Sequence, residues 1–250
     1  MGIRKALLRF AGYSWKRHVN RVRKVPHRAS LLDGPLVLLF TQPQHKPASS
    51  PFNSNIMSSQ PRILAFGGSL RRQSFNQKLA YIAADGARQA GALVTVITLS
   101  DFDLPLFSED FEAEHGMPAD AKKLKALFRD HDGLIIASPE YNSSVSGALK
   151  NVIDWVSRAE TEGEPALVAF TGKSAVICSA SPGGLGGLRG LTHLRDILGN
   201  IGITMLPDQV AVPSAHNALD NDGNLADPKL ATKVRALGAS LAEHLKKHIG

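Results

Sequence analysis

With 250 residues, 43% of them hydrophobic, the chain suits one large domain or two small ones and is apolar enough to fill a core. A single cysteine, Cys178, excludes a disulfide framework and any Cys-x-x-Cys redox or zinc motif, and no apolar run approaches the roughly 18–20 residues that cross a bilayer. The net charge of +7 divides unevenly: residues 1–56 carry ten Lys and Arg against one acid, Asp33, a balance of +9, and the remainder holds 19 basic and 21 acidic side chains, or −2. The basicity therefore belongs to the leading segment, which removes the basis for reading the whole protein as a nucleic-acid binder.

That segment opens amphipathic, with Ile3, Leu7, Phe10 and Ala11 near one helical face. It closes in Thr41-Gln42-Pro43-Gln44-His45-Lys46-Pro47-Ala48-Ser49-Ser50-Pro51, a stretch of linker composition. Three readings compete: an Arg-rich, acid-poor transit peptide, a basic arm for anionic surfaces, or an upstream over-translation before a true start at Met57. Residues 1–61 are thus expected to be a disordered extension and linker, and residues 62–249 one domain. A cytoplasmic protein is expected, or an organellar one if the extension is a transit segment.

Ile63-Leu64-Ala65-Phe66 reads as a buried strand, stopped by Gly67-Gly68. The polar loop Ser69-Leu70-Arg71-Arg72-Gln73-Ser74-Phe75-Asn76 follows, and from Asn76 a helical pattern puts Leu79, Ile82, Ala83 and Gly86 on one face. Strand, glycine turn and helix make an anion site, because first-turn N–H groups and the helix dipole face the loop. Ser69, Ser74 and Asn76 add donors, and Arg71 can grip a phosphate through two parallel hydrogen bonds. A glycine turn alone is more often a plain turn, and the pattern is neither a Rossmann Gly-x-Gly-x-x-Gly nor a P-loop. The rarer spacing Gly-Ser-x-Arg-x-x-Ser-x-Asn resembles the flavin-phosphate loop of the NADPH-dependent FMN reductases, which include soluble quinone and chromate reductases.

Leu93–Leu99 is the second predicted strand, and residues 101–118 a long acidic crossing loop. A helix follows with Ala121, Leu124, Leu127 and Phe128 on one face, and Leu134–Ala137 is the third strand. Alternating strands and helices predict βαβ units and a parallel sheet. In the flavodoxin-like order 2-1-3-4-5, ligands sit at the switch between strands one and three. The loop leaving strand three, Ser138-Pro139-Glu140-Tyr141-Asn142, then neighbours the first one. Here Pro139 can wall a slot, Tyr141 can offer an aromatic face, and N–H groups at Glu140 to Asn142 can reach a ring edge. An ordinary turn would also favour Pro and Asn. Yet the string through Lys150-Asn151-x-x-Asp154-Trp155 closely resembles the same family. The resemblance implies that this loop holds the flavin ring and that Arg158 faces a neighbouring subunit and the nicotinamide; a charge offsetting the helix dipole is the plain alternative.

Residues 159–173 form a longer and more polar connection than the family has. Strand four runs through Ala180, and Ser181-Pro182-Gly183-Gly184-Leu185-Gly186-Gly187 lets backbone approach a ligand. A helix from Leu188 to Ile201, a short strand near Ile203–Leu206 that Val210–Val212 can extend, and a last helix capped by Asp227-Pro228 complete the pattern. His244 and His248 have metal-binding spacing but read as a solvated face, no His-Glu-x-x-His or Gly-x-Ser-x-Gly occurs, and no metal ligands are assigned.

The expected fold is a flavodoxin-like three-layer α/β sandwich on a five-stranded parallel sheet. The resemblance implies non-covalent FMN, NADPH or NADH as hydride donor, and a quinone, free flavin or chromate as acceptor, in a homodimer or homotetramer. It carries the FMN contacts to Ser69, Leu70, Arg71, Ser74, Phe75, Asn76, Pro139, Glu140, Tyr141, Asn142, Ser181, Pro182, Gly183 and Gly184, and to no catalytic acid or base. A flavin-binding electron carrier is the rival, disfavoured by the balance of −2 and by Arg71; a redox-sensing regulator would need the basic arm.

Overall fold

The computed structural model describes residues 60–220 and 222–248; the leading segment and its three readings lie outside them. The sheet has the order β2-β1-β3-β4-β5, all parallel: β1 (Arg62–Gly67), β2 (Leu93–Thr98), β3 (Gly133–Ala137), β4 (Ser174–Ala180) and β5 (Thr204–Val212). β3 and β4 are buried along their whole length, whereas the edge strand β2 has no fully buried residue. This explains why central strands read as unbroken apolar runs: both of their faces are covered.

Successive residues feed opposite layers. Ile63, Ala65, Ile135, Val176 and Cys178 pack with α1 (Phe75–Gln89) and α7 (Pro228–Lys246). Leu64, Phe66, Leu134, Ile136 and Ile177 pack with α3 (Ala119–Arg129), α4 (Gly147–Val156) and α5 (Leu188–Asn200). Cys178 is fully buried, and desolvation pushes its thiol up to about 12, so it is an inert core residue.

The α1–α7 crossing is unusually close. A Cβ added to Gly86 would lie 1.9 Å from the Arg235 carbonyl oxygen, and one added to Gly238 would lie 1.9 Å from that of Ala83. Each helix thus presents a glycine to the other's backbone, and α1, which starts at the first polar loop, is seated on α7 through that contact.

Three elements differ from the sequence expectation. The acidic crossing loop contains a helix, α2 (Glu109–His115), capped by Ser108, whose Oγ accepts from the Phe111 N–H at 3.4 Å; Glu109, Asp110 and Glu112 complement its dipole. β5 is one strand and not two pieces, with a register shift against Ala175–Ile177. Pro207 falls in the shifted stretch, on an edge strand that tolerates a missing donor. A one-turn helix, α6 (Ala215–Ala218), follows β5.

The connection after α4 is pinned by charge. Lys125 of α3 is 2% and Glu164 9% exposed at the side chain, and the two are ion-paired. The Lys125 Nζ also donates to the Arg158 carbonyl at 2.6 Å, and the Glu160 N–H donates to Glu164 at 2.6 Å. Among the described residues no helix is long and apolar enough to cross a membrane.

Candidate functional site

The carboxyl ends of β1, β3 and β4 open on one cleft of about 240 Å3, lined by Ser69, Arg71, Ser74, Phe75, Asn76, Pro139, Glu140, Tyr141, Ala180, Ser181 and Pro182. Ten of the fourteen residues singled out above meet there; Leu70, Asn142, Gly183 and Gly184 lie outside the lining. Gly184 has nothing within 4 Å of an added Cβ, so open space, not packing, surrounds it. The later glycines of that loop are structural. Gly187, at φ 92°, would drive a Cβ to 1.8 Å from Ser179 Oγ, and Gly186, at φ 62°, would drive one to 2.7 Å from the Val212–Pro213 backbone. Ala180 escaped the sequence reading; being the residue before Ser181 at a strand's carboxyl end was the available signal.

The first loop is built for an anion. Ser74 caps α1, its Oγ accepting from the Gln77 N–H at 3.2 Å, which leaves the hydroxyl hydrogen to donate. The first-turn N–H groups of Phe75 and Asn76 find no acceptor among the described residues. Arg71 is held at the rim, donating to the Gln73 carbonyl at 3.0 Å with its guanidinium carbon 5.1 Å from the Phe75 ring centroid. Gly67 closes the turn, since a Cβ there would lie 2.6 Å from the Gln77 nitrogen. Ser146, the cap of α4, ties in the second loop by donating to the Gly68 carbonyl at 2.5 Å.

Asn76 is more than a loop donor. Its Nδ2 donates to the Ala180 carbonyl at 2.8 Å while its Oδ1 accepts from the Ala180 N–H at 2.9 Å, both buried. One amide hydrogen is left for a ligand.

The second loop also differs in detail from the expected run of exposed amides. Tyr141 and Ser144 exchange backbone hydrogen bonds of 2.9 and 3.1 Å around Asn142 and Ser143, at φ 50° and 68°. This is a type I′ hairpin turn, and it occupies the Tyr141 N–H; those of Glu140 and Asn142 have no partner among the described residues. The Glu140 side chain turns toward α5, receiving the Arg189 Nε at 2.8 Å and the Gly190 N–H at 3.2 Å. Burial pushes its carboxyl up, but Arg189 and the Gly190 N–H outweigh it and hold it below 4.5.

Residues of the longer string act at a distance from the cleft. Asn151 accepts from the Phe107 N–H at 2.8 Å, and the Trp155 Nε1 donates to the Pro105 carbonyl at 2.7 Å, which fastens the crossing loop to α4. Arg158 is engaged within the chain. It is chelated by Glu112 of α2, with Nε 2.9 and 3.0 Å from the two carboxylate oxygens and its guanidinium carbon 5.3 Å from the Phe107 centroid, and that pairing raises its pKa. His244 is not simply solvated: its Nε2 lies 3.1 Å from Ser174 Oγ and its ring stacks on His248. Among the described residues no three His, Cys, Asp or Glu converge to hold a metal ion.

A parallel 2-1-3-4-5 sheet with an anion loop at its switch point defines a flavodoxin-like protein. The chain belongs to the NADPH-dependent FMN reductase family, whose model matches residues 61–217. It is 34% identical over 183 residues to a probable NADPH:quinone oxidoreductase 2 of Oryza sativa subsp. japonica, covering 72% of this chain and 86% of that one. It is 37% identical over 174 residues to an NAD(P)H-dependent FMN reductase of Pseudomonas aeruginosa, covering 69% and 89%. A solved structure of similar fold is FerB, a flavoenzyme NAD(P)H:acceptor oxidoreductase from Paracoccus denitrificans, at 27% identity and a TM-score of 0.63, covering 75% of this chain and 98% of that one. The protein is an FMN-dependent NAD(P)H oxidoreductase by family.

The cleft fits that cofactor. Hydroxyls of Ser69 and Ser74, first-turn amides and a placed guanidinium suit a terminal phosphate, and the wall of Pro139, Tyr141 and Pro182 suits a flat ring.

Proposed function

We propose that the protein uses FMN held in this cleft to pass electrons from NADPH or NADH to a quinone, with free flavin or chromate as further acceptors. The observation that carries the reading is the meeting of Arg71, Ser74 and the α1 amino terminus with Pro139, Tyr141 and Pro182 at the β1/β3 switch. FMN supplies, when bound, the capacity to take two electrons from a nicotinamide and release them to an acceptor. The chain's task is binding and orientation. Arg71, Ser69 and Ser74 hold the phosphate, Pro139 and Tyr141 confine the ring, and the Glu140 and Asn142 amides face its polar edge. Leu70, Gly183 and Gly184 border the opening. No side chain is assigned a proton-transfer step. Similarity to the rice NADPH:quinone oxidoreductase and the Pseudomonas FMN reductase supports quinone and flavin as acceptors.

The purified protein is expected to be yellow, to release FMN on denaturation, and to oxidise NADPH faster when a quinone is added. A colourless preparation that takes up no added FMN would end the reading. Within it, Arg71→Ala is expected to weaken FMN binding by about 1.5–3 kcal/mol, as for a hydrogen bond to a charged group. Arg72, also exposed and without a hydrogen-bond or ion-pair partner among the described residues, is expected to matter far less. Flavin titration of the two variants checks this, and equal losses would mean that general positive charge holds the phosphate.

We infer further that residues 62–249 are the catalytic domain, assembled as a homodimer or homotetramer in the cytoplasm. The family match over residues 61–217 supports that boundary. Deleting residues 1–56 is expected to leave FMN content and NADPH turnover nearly unchanged at moderate salt. At low salt the basic segment can speed approach of an anionic nucleotide, so a difference confined to low salt reports steering alone. Loss of flavin at both salt levels would place the segment inside the fold.

A further inference from the structure

The hairpin at residues 140–144 does not stand alone on its strand. It is tied to the first turns of α5 by contacts that no local pattern announces. The Glu140 carboxylate, 7% exposed, receives the Arg189 guanidinium and the Gly190 N–H. Ser144 Oγ lies 2.9 Å from His193 Nδ1. Gly190 makes the approach possible, since a Cβ there would sit 3.1 Å from the Ser144 carbonyl and 3.4 Å from the Glu140 Cβ. Glu140 is also the one acid in the cleft lining among the described residues. Arg189 stands outside the lining, 57% exposed at the side chain, and reaches the cleft only through Glu140.

We propose that Glu140 and Arg189 are positioning residues for the flavin: their pairing fixes the 140–144 hairpin against α5 and balances the carboxylate charge beside the ring. The inference rests on the FMN reading above. Two consequences separate it from a bland structural role. A loosened hairpin exposes the reciprocal amides of Tyr141 and Ser144, whose bonds close the turn. The charges act with opposite signs on a flavin that gains negative charge when reduced. Removing Arg189 leaves an unbalanced carboxylate, which disfavours reduction, and neutralising Glu140 leaves an unbalanced guanidinium, which favours it.

The test uses the full chain with Arg189→Met, Glu140→Gln and the double variant. Arg189 is at the surface and Gln keeps the acceptor for the Gly190 N–H, so all three are expected to fold. In the flavin-free form, hydrogen exchange at Tyr141 and Ser144 is expected to quicken at least about tenfold in Arg189→Met, which removes both guanidinium hydrogen bonds to the Glu140 carboxylate. FMN affinity is expected to fall by about the same factor. The FMN midpoint potential is expected to drop in Arg189→Met, rise in Glu140→Gln, and return toward wild type in the double variant. Unchanged exchange at both amides, or potential shifts of the same sign in the two single variants, overturns the proposal. A wild-type protein that binds no FMN overturns the flavin reading instead, and the exchange measurement then still decides whether the brace exists.

Discussion

Glu164→Ala is expected to cost the protein about 3–5 kcal/mol, the range for removing one partner of a buried ion pair. The Lys125 side chain is 2% exposed, and among the described residues its ammonium has only Glu164 and the Arg158 carbonyl as acceptors. Without the carboxylate it becomes a buried cation with one neutral oxygen for company. The Glu160 N–H loses its acceptor as well, and the 3.7 Å attraction to Arg129 disappears. For a domain of this size the loss amounts to roughly 6–20 °C in Tm. The double variant Lys125→Met/Glu164→Leu is expected to recover most of it, because an apolar pair has no charge to desolvate. Thermal melts decide: a double variant no better than Glu164→Ala would mean that shape, not charge, anchors the segment.

The pair also sets an acid limit. The Lys125 ammonium, followed by the Glu160 N–H, holds the Glu164 carboxyl below its ordinary value of 4.5. A depressed carboxyl contributes stability that is present above about 4.5 and lost as pH falls through the lower folded value. Wild-type stability is therefore expected to fall below that pH more steeply than that of the double variant.

Gly238→Ala is expected to destabilise by about 3 kcal/mol, at the upper end for overpacking. The new methyl would meet the Ala83 carbonyl oxygen at 1.9 Å and the Ala87 nitrogen at 2.9 Å, atoms of helix backbone that have no rotamer to change. Relief requires α1 and α7 to separate, and with them the buried stripe of Leu79, Ala83, Leu237 and Leu241. Gly199→Ala is the matched control. Gly199 lies in α5 with nothing within 4 Å of an added Cβ, and the same change there is expected to stabilise by about 0.5–1 kcal/mol. Denaturant midpoints of the two variants check both signs; a Gly238→Ala protein as stable as wild type would show that the crossing is looser than drawn. Because α1 also carries Ser74, Phe75 and Asn76, FMN affinity is expected to fall alongside stability.

What the residues announce locally and what they do not divides along a physical line. β1, the first polar loop and α1 were legible because an apolar run, a glycine turn and a helical stripe are contiguous signals, and the Asp227-Pro228 start of α7 was legible for the same reason. The acidic stretch holding α2 hid its helix behind a lack of apolar periodicity, although Ser108 followed by Glu109 and Asp110 is a cap with a favourable dipole. Asn76 shows the deeper limit. Its residue type suggests a donor to a ligand, but its carboxamide is engaged with a peptide group 104 positions away. The pairing of Glu140 with Arg189 spans 49 positions, and the chelation of Arg158 by Glu112 spans 46. Polar partners chosen across the fold leave no periodic trace, so the cleft's wall could be read from the chain while its bracing could not.

The two-way bond between Asn76 and the Ala180 peptide has a consequence for how tightly a cofactor can be held. It joins the amino terminus of α1 to the end of β4, two sides of the same opening, by a link that needs no cofactor to form. Arranging a loop around a ligand ordinarily consumes part of the attraction between them, since freedom must be surrendered at the moment of contact. At this link the ordering is complete on folding. In the proposed FMN reading, phosphate and ring would meet these two sides already joined, and that share of the attraction would go into affinity, not into assembling the site.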